Sequence, residues 1–140
     1  VVRESKMQLP EHTFYVDFIY AYQPFPWVKS LQYVDTPFYH YFIGRDGQSV
    51  QTDVMFRRVD QLRLVNQCMV RATPERGTVP DGLYRYMIHF LAIESSVASV
   101  FMILSRDHAN YEKKKQLWAD IERIRRRFTR TCVRRRCRAR

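Results

Sequence analysis

Leu83-Tyr-Arg-Tyr-Met-Ile-His-Phe-Leu-Ala-Ile-Glu-Ser-Ser-Val-Ala-Ser-Val-Phe-Met-Ile-Leu-Ser105 is the longest apolar run in the chain. Its period is helical, and it carries two apolar faces. Tyr84, Met87, Leu91, Ala98 and Phe101 form one; Phe90, Ile93, Val97, Val100 and Leu104 form the other. Only a narrow strip of Arg85, His89, Ser96 and Ser99 remains between them. A helix apolar on both sides is either the centre of a bundle, wrapped by two neighbours, or a membrane span. Arg85, His89 and Glu94 interrupt a run already near the minimum spanning length, so the sequence predicts the bundle, with this helix the most buried.

The flanking segments fit that reading. Upstream, Met55, Phe56, Val59, Leu62, Val65 and Met69 recur at three- and four-residue spacing, behind Thr52 or Asp53 as a cap and ahead of Pro74. Residues 73–82 hold two Pro and two Gly and read as a loop, with Asp81 positioned to cap the long helix. Downstream, Leu117, Ile121, Ile124 and Phe128 form a stripe joined by Tyr111 and Trp118, on a helix starting near Asp107 or Asn110. Glu122 and Arg126 add an i, i+4 pair, and fraying is expected beyond Thr131.

The first third has a different texture. Residues 13–22 suit a short helix with Phe14, Phe18 and Tyr22 on one face, stopped by Pro24 and Pro26. Residues 28–34 and 38–43 read as two strands about an Asp35-Thr36-Pro37 turn. The expected fold class is therefore mainly α: a small α/β piece over residues 1–52, then an antiparallel bundle of about three helices over 53–140.

Composition bounds the function. With 140 residues and 46% hydrophobic content the chain supports one folded core. The net charge of +10 is concentrated between Arg123 and Arg140, and without that stretch the rest is close to neutral. Such a segment attracts polyanions: nucleic acid, anionic lipid or counter-ions. Cys68, Cys132 and Cys137 cannot all pair within one chain and show no Cys-x-x-Cys spacing, which reads as reduced thiols in a cytoplasmic setting with no metal site. The start, Val1-Val2-Arg3, carries no initiator Met and no secretory signal pattern, and reads as a processed or excised piece.

After the second strand the chain turns through Gly44-Arg45-Asp46-Gly47 and presents Gln48 and Ser49. Arg45 can make charge-assisted forked bonds to a phosphate or diphosphate, and Ser49 and the glycine-flanked amides can make neutral ones. The same residues also suit an ordinary solvated turn. Among the histidines, His40 reads as a strand residue, His89 as a core residue with its bonds satisfied, and His12 lies close enough to Asp17 to approach a substrate.

Tyr39-x-Tyr41-x-Ile43-Gly44-Arg45-x-Gly47-Gln48-Ser49-Val50 resembles the segment that closes the catalytic domain of bacterial family-two glycosyltransferases of the GT-A type. Phe14-Tyr15-Val16-Asp17 is similar to the same family's Glu-Asp element, which opens a helix beneath the acceptor site; Val16 stands where the family usually has Glu. The likeness covers roughly the first half of the chain. It implies Asp17 as the catalytic base, and Arg45, Gln48 and Ser49 as contacts to the nucleotide diphosphate. It also implies a nucleotide-sugar donor, a glycan or lipid-linked acceptor, and a place at the inner face of the cell membrane, where the basic tail meets anionic lipid. The family's donor-binding half, with an Asp-x-Asp that holds Mg or Mn, has no counterpart here: no Asp-x-Asp occurs in the 140 residues. The resemblance thus implies a C-terminal portion, inactive alone. The competing reading is a non-enzymatic helical module that engages nucleic acid or another anionic partner through its Arg-rich end.

Overall fold

The computed structural model describes residues 1–42, 44, 48 and 51–137, with side chains through Ile124. Among them the protein is mainly helical, with five α-helices, one short 3-10 turn and no strand. The helices are α1 (Val16–Tyr22), α2 (Thr52–Arg57), α3 (Val59–Ala72), α4 (Asp81–Leu104) and α5 (His108–Cys137). The 3-10 turn, Phe25–Trp27, carries Pro at its start, where the missing amide hydrogen is no loss.

Helices α3, α4 and α5 run up, down and up, and side-chain pairs fix their register. Asp60 and Arg63 on α3 meet Lys113 (2.6 Å) and Gln116 (3.2 Å) on α5, so these two helices ascend together. Trp118 of α5 reaches Ser99 of α4, while Asn110 near the start of α5 reaches Ser105 just past the end of α4. That pair is antiparallel. α1 lies across the N-terminal half of α4, also antiparallel: Phe18 and Tyr22 pack on Phe90, and Phe25 packs on Tyr86.

One apolar cluster joins these elements. Ile19 and Tyr22 come from α1; Leu62, Val65 and Met69 from α3; Met87, Leu91, Ala98 and Met102 from α4; and Leu117 from α5. Fully burying one such side chain contributes about 1.5–3 kcal/mol. A polar chain runs through the same interior. Asn66 donates to the Leu62 carbonyl and accepts from the Ser95 hydroxyl, both at 2.9 Å. Ser99 donates to the Ser95 carbonyl and accepts from the Trp118 indole N–H at 2.8 Å. Every buried polar atom in that chain has its bond, so it fixes the register of three helices without an unpaired group.

Tyr22 belongs to the same economy of hydrogens. The single hydroxyl proton of Thr73 is committed to the Met69 carbonyl, so Tyr22 donates to Thr73, at 2.8 Å. Burial raises the Tyr22 phenol to about 12.

Four expectations need correction. Residues 28–34 and 38–42 form no strand; they run without regular structure, and Leu31, Tyr33, Phe38, Tyr39 and Phe42 stand exposed. A β-prone segment becomes a strand only when another strand takes its backbone bonds, and none does so among the described residues. The single helix expected over 53–72 is divided at Arg58 (φ −113°, ψ 20°), whose amide is shared between the Val54 and Met55 carbonyls at 3.2 Å each.

The third correction concerns α4. It is not wrapped on both sides: Met87, Leu91, Ser95, Ala98 and Met102 are buried, but Ile93, Val97, Val100, Ile103 and Leu104 face outward. Its neighbours cover one half of the circumference, and among the described residues no further element lies on the other. Last, α5 does not fray after Thr131 but keeps helical backbone to Cys137, the arginine-rich sequence being well suited to a helix.

Candidate functional site

The local sequence sets Asp17 at a bend. Tyr15 precedes α1 in the left-handed region (φ 67°, ψ 16°), an uncommon place for an aromatic residue. Its ring is buried in the core, and its carbonyl accepts from the Phe18 amide at 3.2 Å. The neighbouring Phe14 amide donates to the Gln61 side chain of α3 at 2.9 Å, which ties the entry of α1 to the bundle. The Arg58 guanidinium lies 3.5 Å from the centre of the Phe14 ring. α1 therefore begins at a clamped corner, with Asp17 exposed in its first turn.

A second carboxylate shares this corner. Because α1 and α4 run antiparallel, the Phe18–Phe90 contact brings Asp17 towards the next turn of α4, where Glu94 sits half-buried. Burial pushes the Glu94 carboxyl above its ordinary value, and the charge of Asp17 adds to the shift. Burial likewise raises the Tyr15 phenol, with Arg58 opposing and Asp17 reinforcing the change. Asp17 is thus within electrostatic reach of both the Glu94 carboxyl and the Tyr15 phenol, and Tyr15 is within reach of the Arg58 guanidinium. One nitrogen of Arg58, Nη1, is buried with no hydrogen-bond partner among the described residues.

The loop expected to bind diphosphate is described only at Gly44 and Gln48; Arg45 and Ser49 lie outside the described residues. Gln48 is buried, and its amide spans the loop from within. Its Oε1 accepts from the Gly44 amide at 2.9 Å, and its Nε2 donates to the Phe42 carbonyl at 2.7 Å. Both ends of the side chain thus bond to the backbone ahead of Arg45, at Phe42 and Gly44. Gly44 itself has φ 104°, a conformation that suits glycine.

His12, His40 and His89 are all exposed, so His89 is not the core residue that its apolar surroundings in sequence suggest. No group of three His, Cys, Asp or Glu side chains converges among the described residues. An open cleft lined by Arg76, Asp81, Tyr84 and Arg85 lies at the start of α4, about 15 Å along the helix axis from Glu94.

Sequence reasoning singled out Asp17 but missed Glu94 and Arg58. Glu94 was visible only as an interruption in an apolar helix. A lone acid within an otherwise apolar helical run is the signal that points to it. Comparison with family models, with curated proteins and with solved structures finds no match for this chain.

Proposed function

We propose that this chain is the acceptor-side, C-terminal portion of a glycosyltransferase that moves a sugar from a nucleotide-sugar to a cell-surface polysaccharide or wall-polymer acceptor. The observation that carries this reading is the setting of Asp17: exposed on the first turn of α1, in no salt bridge among the described residues, beside a second carboxylate. The order of motifs, with Phe14-Tyr15-Val16-Asp17 ahead of Gly44-Arg45-x-Gly47-Gln48-Ser49, supports it.

In this mechanism the Asp17 carboxylate accepts the proton of the acceptor hydroxyl as that oxygen attacks the sugar. Arg45 and Ser49 meet the charge that develops on the departing diphosphate. Gln48 serves them through its bonds to Phe42 and Gly44, with any bond of its own to the diphosphate secondary to that task. A divalent metal, Mg or Mn, and the nucleotide would be held by the donor-binding half that this reading requires, the metal supplying charge to offset the leaving diphosphate. The extended aromatic stretch 28–42 then pairs with a sheet supplied by that donor-binding half, which restores the α/β piece.

The test is Asp17→Asn in the polypeptide that includes the donor-binding half. The amide keeps the side chain's size but is a far weaker base, so single-turnover transfer at saturating donor falls by about a hundredfold or more while donor affinity stays nearly unchanged. Near-normal transfer by this variant would leave Asp17 as a helix-start carboxylate and end the proposal.

A further inference from the structure

The outward face of α4 holds Ile93, Val97, Val100, Ile103 and Leu104, each more than a third exposed. Between residues 93 and 104 one polar residue, Ser96, lies within this strip, and its hydroxyl donates to the Ala92 carbonyl at 2.7 Å within the helix; exposed His89 and Arg85 continue the face towards the start of α4. That bond leaves the strip with little demand for water, and α4 is apolar and long enough to enter a bilayer by composition alone. Its other face is occupied by α3, α5 and α1, including the Asn66–Ser95 bond, so α4 offers one side to lipid and does not cross it.

What lies along the edge of the strip identifies the occupant. Trp118 of α5 is fastened to Ser99, one turn from Ile103 and next to Val100, and is itself more than a third exposed. Tyr111 lies two turns before Trp118 on the same stripe of α5, and the ammonium groups of Lys114 and Lys115 sit 5.3 and 4.9 Å from its ring centre; Lys115 also pairs with Glu112 at 2.7 Å, so Lys114 is the main source of positive charge here. Aliphatic side chains bordered by a Trp, a Tyr and lysines match the layers of a membrane surface: acyl chains, then the interfacial zone, then anionic headgroups. A protein partner would call for no such order.

We infer that α4 and the start of α5 form a membrane-docking face, in which Ile93, Val97, Val100, Ile103 and Leu104 enter the outer acyl layer of an anionic bilayer and Trp118, Tyr111, Lys114 and Lys115 meet its headgroups. This surface stands on its own geometry and does not depend on the sugar-transfer reading. It adds an apolar anchor to the charge of the arginine-rich end, and one-sided insertion of this kind is reversible.

Flotation of the 140-residue chain with vesicles of phosphatidylglycerol and phosphatidylcholine tests it, against vesicles of phosphatidylcholine alone. Val97→Ser/Val100→Ser weakens partition into the anionic vesicles about tenfold, and Val100→Trp strengthens it. Lys114→Gln weakens it about fivefold, an effect that salt removes, and Lys115→Gln weakens it less because Glu112 already pairs with that charge. With Trp27→Phe as background, Trp118 emission shifts to the blue on binding and is quenched by brominated acyl chains. Three results overturn the inference: no binding to anionic vesicles at low salt, equal binding by the serine variant, or a dimer in sedimentation that the serine variant dissociates. In the second case the arginines alone hold the chain, and in the third a second copy covers the strip.

Discussion

At the scale of single residues, Glu94 is the side chain whose behaviour separates position from type. Its folded-state pKa lies above the ordinary 4.5, through burial first and Asp17 second. The folded protein therefore holds that proton more tightly than the unfolded chain. Stability from this group is greatest below about pH 4.5 and falls as pH rises through the raised value. Glu94→Gln removes the charge and keeps the size, so urea unfolding at pH 7 should show a gain of under about 1 kcal/mol, solvent screening of the half-exposed group allowed for. Below the ordinary pKa the two proteins should coincide. An equal difference at both pH values would mean that the substitution acts through packing and not charge. Asp17 was legible because a short motif names it, whereas Glu94 joins it only through the antiparallel crossing of α1 and α4. That crossing is set by Phe18, Tyr22 and Phe90, residues whose spacing gives a helical face but no partner. The Asn66–Ser95–Ser99–Trp118 chain is hidden for the same reason: each member reads as an ordinary polar residue until three helices bring them together.

Among elements, α4 shows how far a hydrophobic pattern can be taken. Its span was legible nearly to the residue, since the Pro80-Asp81 start and the apolar period leave little choice. Which of its two apolar faces would be covered was not legible, because both satisfy the same period and only the number of available neighbours decides. The energetic contrast follows from the observed burial. Leu91 is 1% exposed, so Leu91→Ala should cost about 2–5 kcal/mol in chemical denaturation, as a cavity opens in the core. Val97 is 37% exposed, and Val97→Ala should stay within about 1 kcal/mol of the parent. Comparable losses in the two variants would place Val97 against a neighbour. The division at Arg58 is likewise invisible to periodicity: Met55 and Val59 keep the same apolar face across it. What pulls the backbone aside is tertiary, since Arg58 stacks on Phe14 while the helix behind it turns towards Asp60 and Lys113.

For the whole molecule, charge and apolar surface are distributed unequally. The arginines from Arg123 onward account for the basic character, and the helical core in front of them is close to neutral. Exposed apolar surface gathers instead on α4 and along residues 31–42, where Tyr33 and Phe38 are 81% and 80% exposed. The sequence of that stretch has strand propensity but forms no strand among the described residues, because propensity becomes structure only with a ladder to join. Phe38-Tyr-His-Tyr-Phe42 has no proline or glycine and carries no fixed charge, and although the Phe38 amide and the Phe42 carbonyl are bonded to Thr36 and Gln48, its backbone joins no ladder among the described residues; this is the composition of a segment that pairs with copies of itself. Concentrating the chain should therefore produce thioflavin-positive assemblies after a lag, and Tyr41→Lys should lengthen that lag about tenfold or more by placing a charge in every rung. Unchanged kinetics would shift the blame to another surface. For anyone preparing this protein, the shelf life of a concentrated stock becomes a reporter: a molecule that shields residues 31–42 will reveal itself by keeping the solution clear.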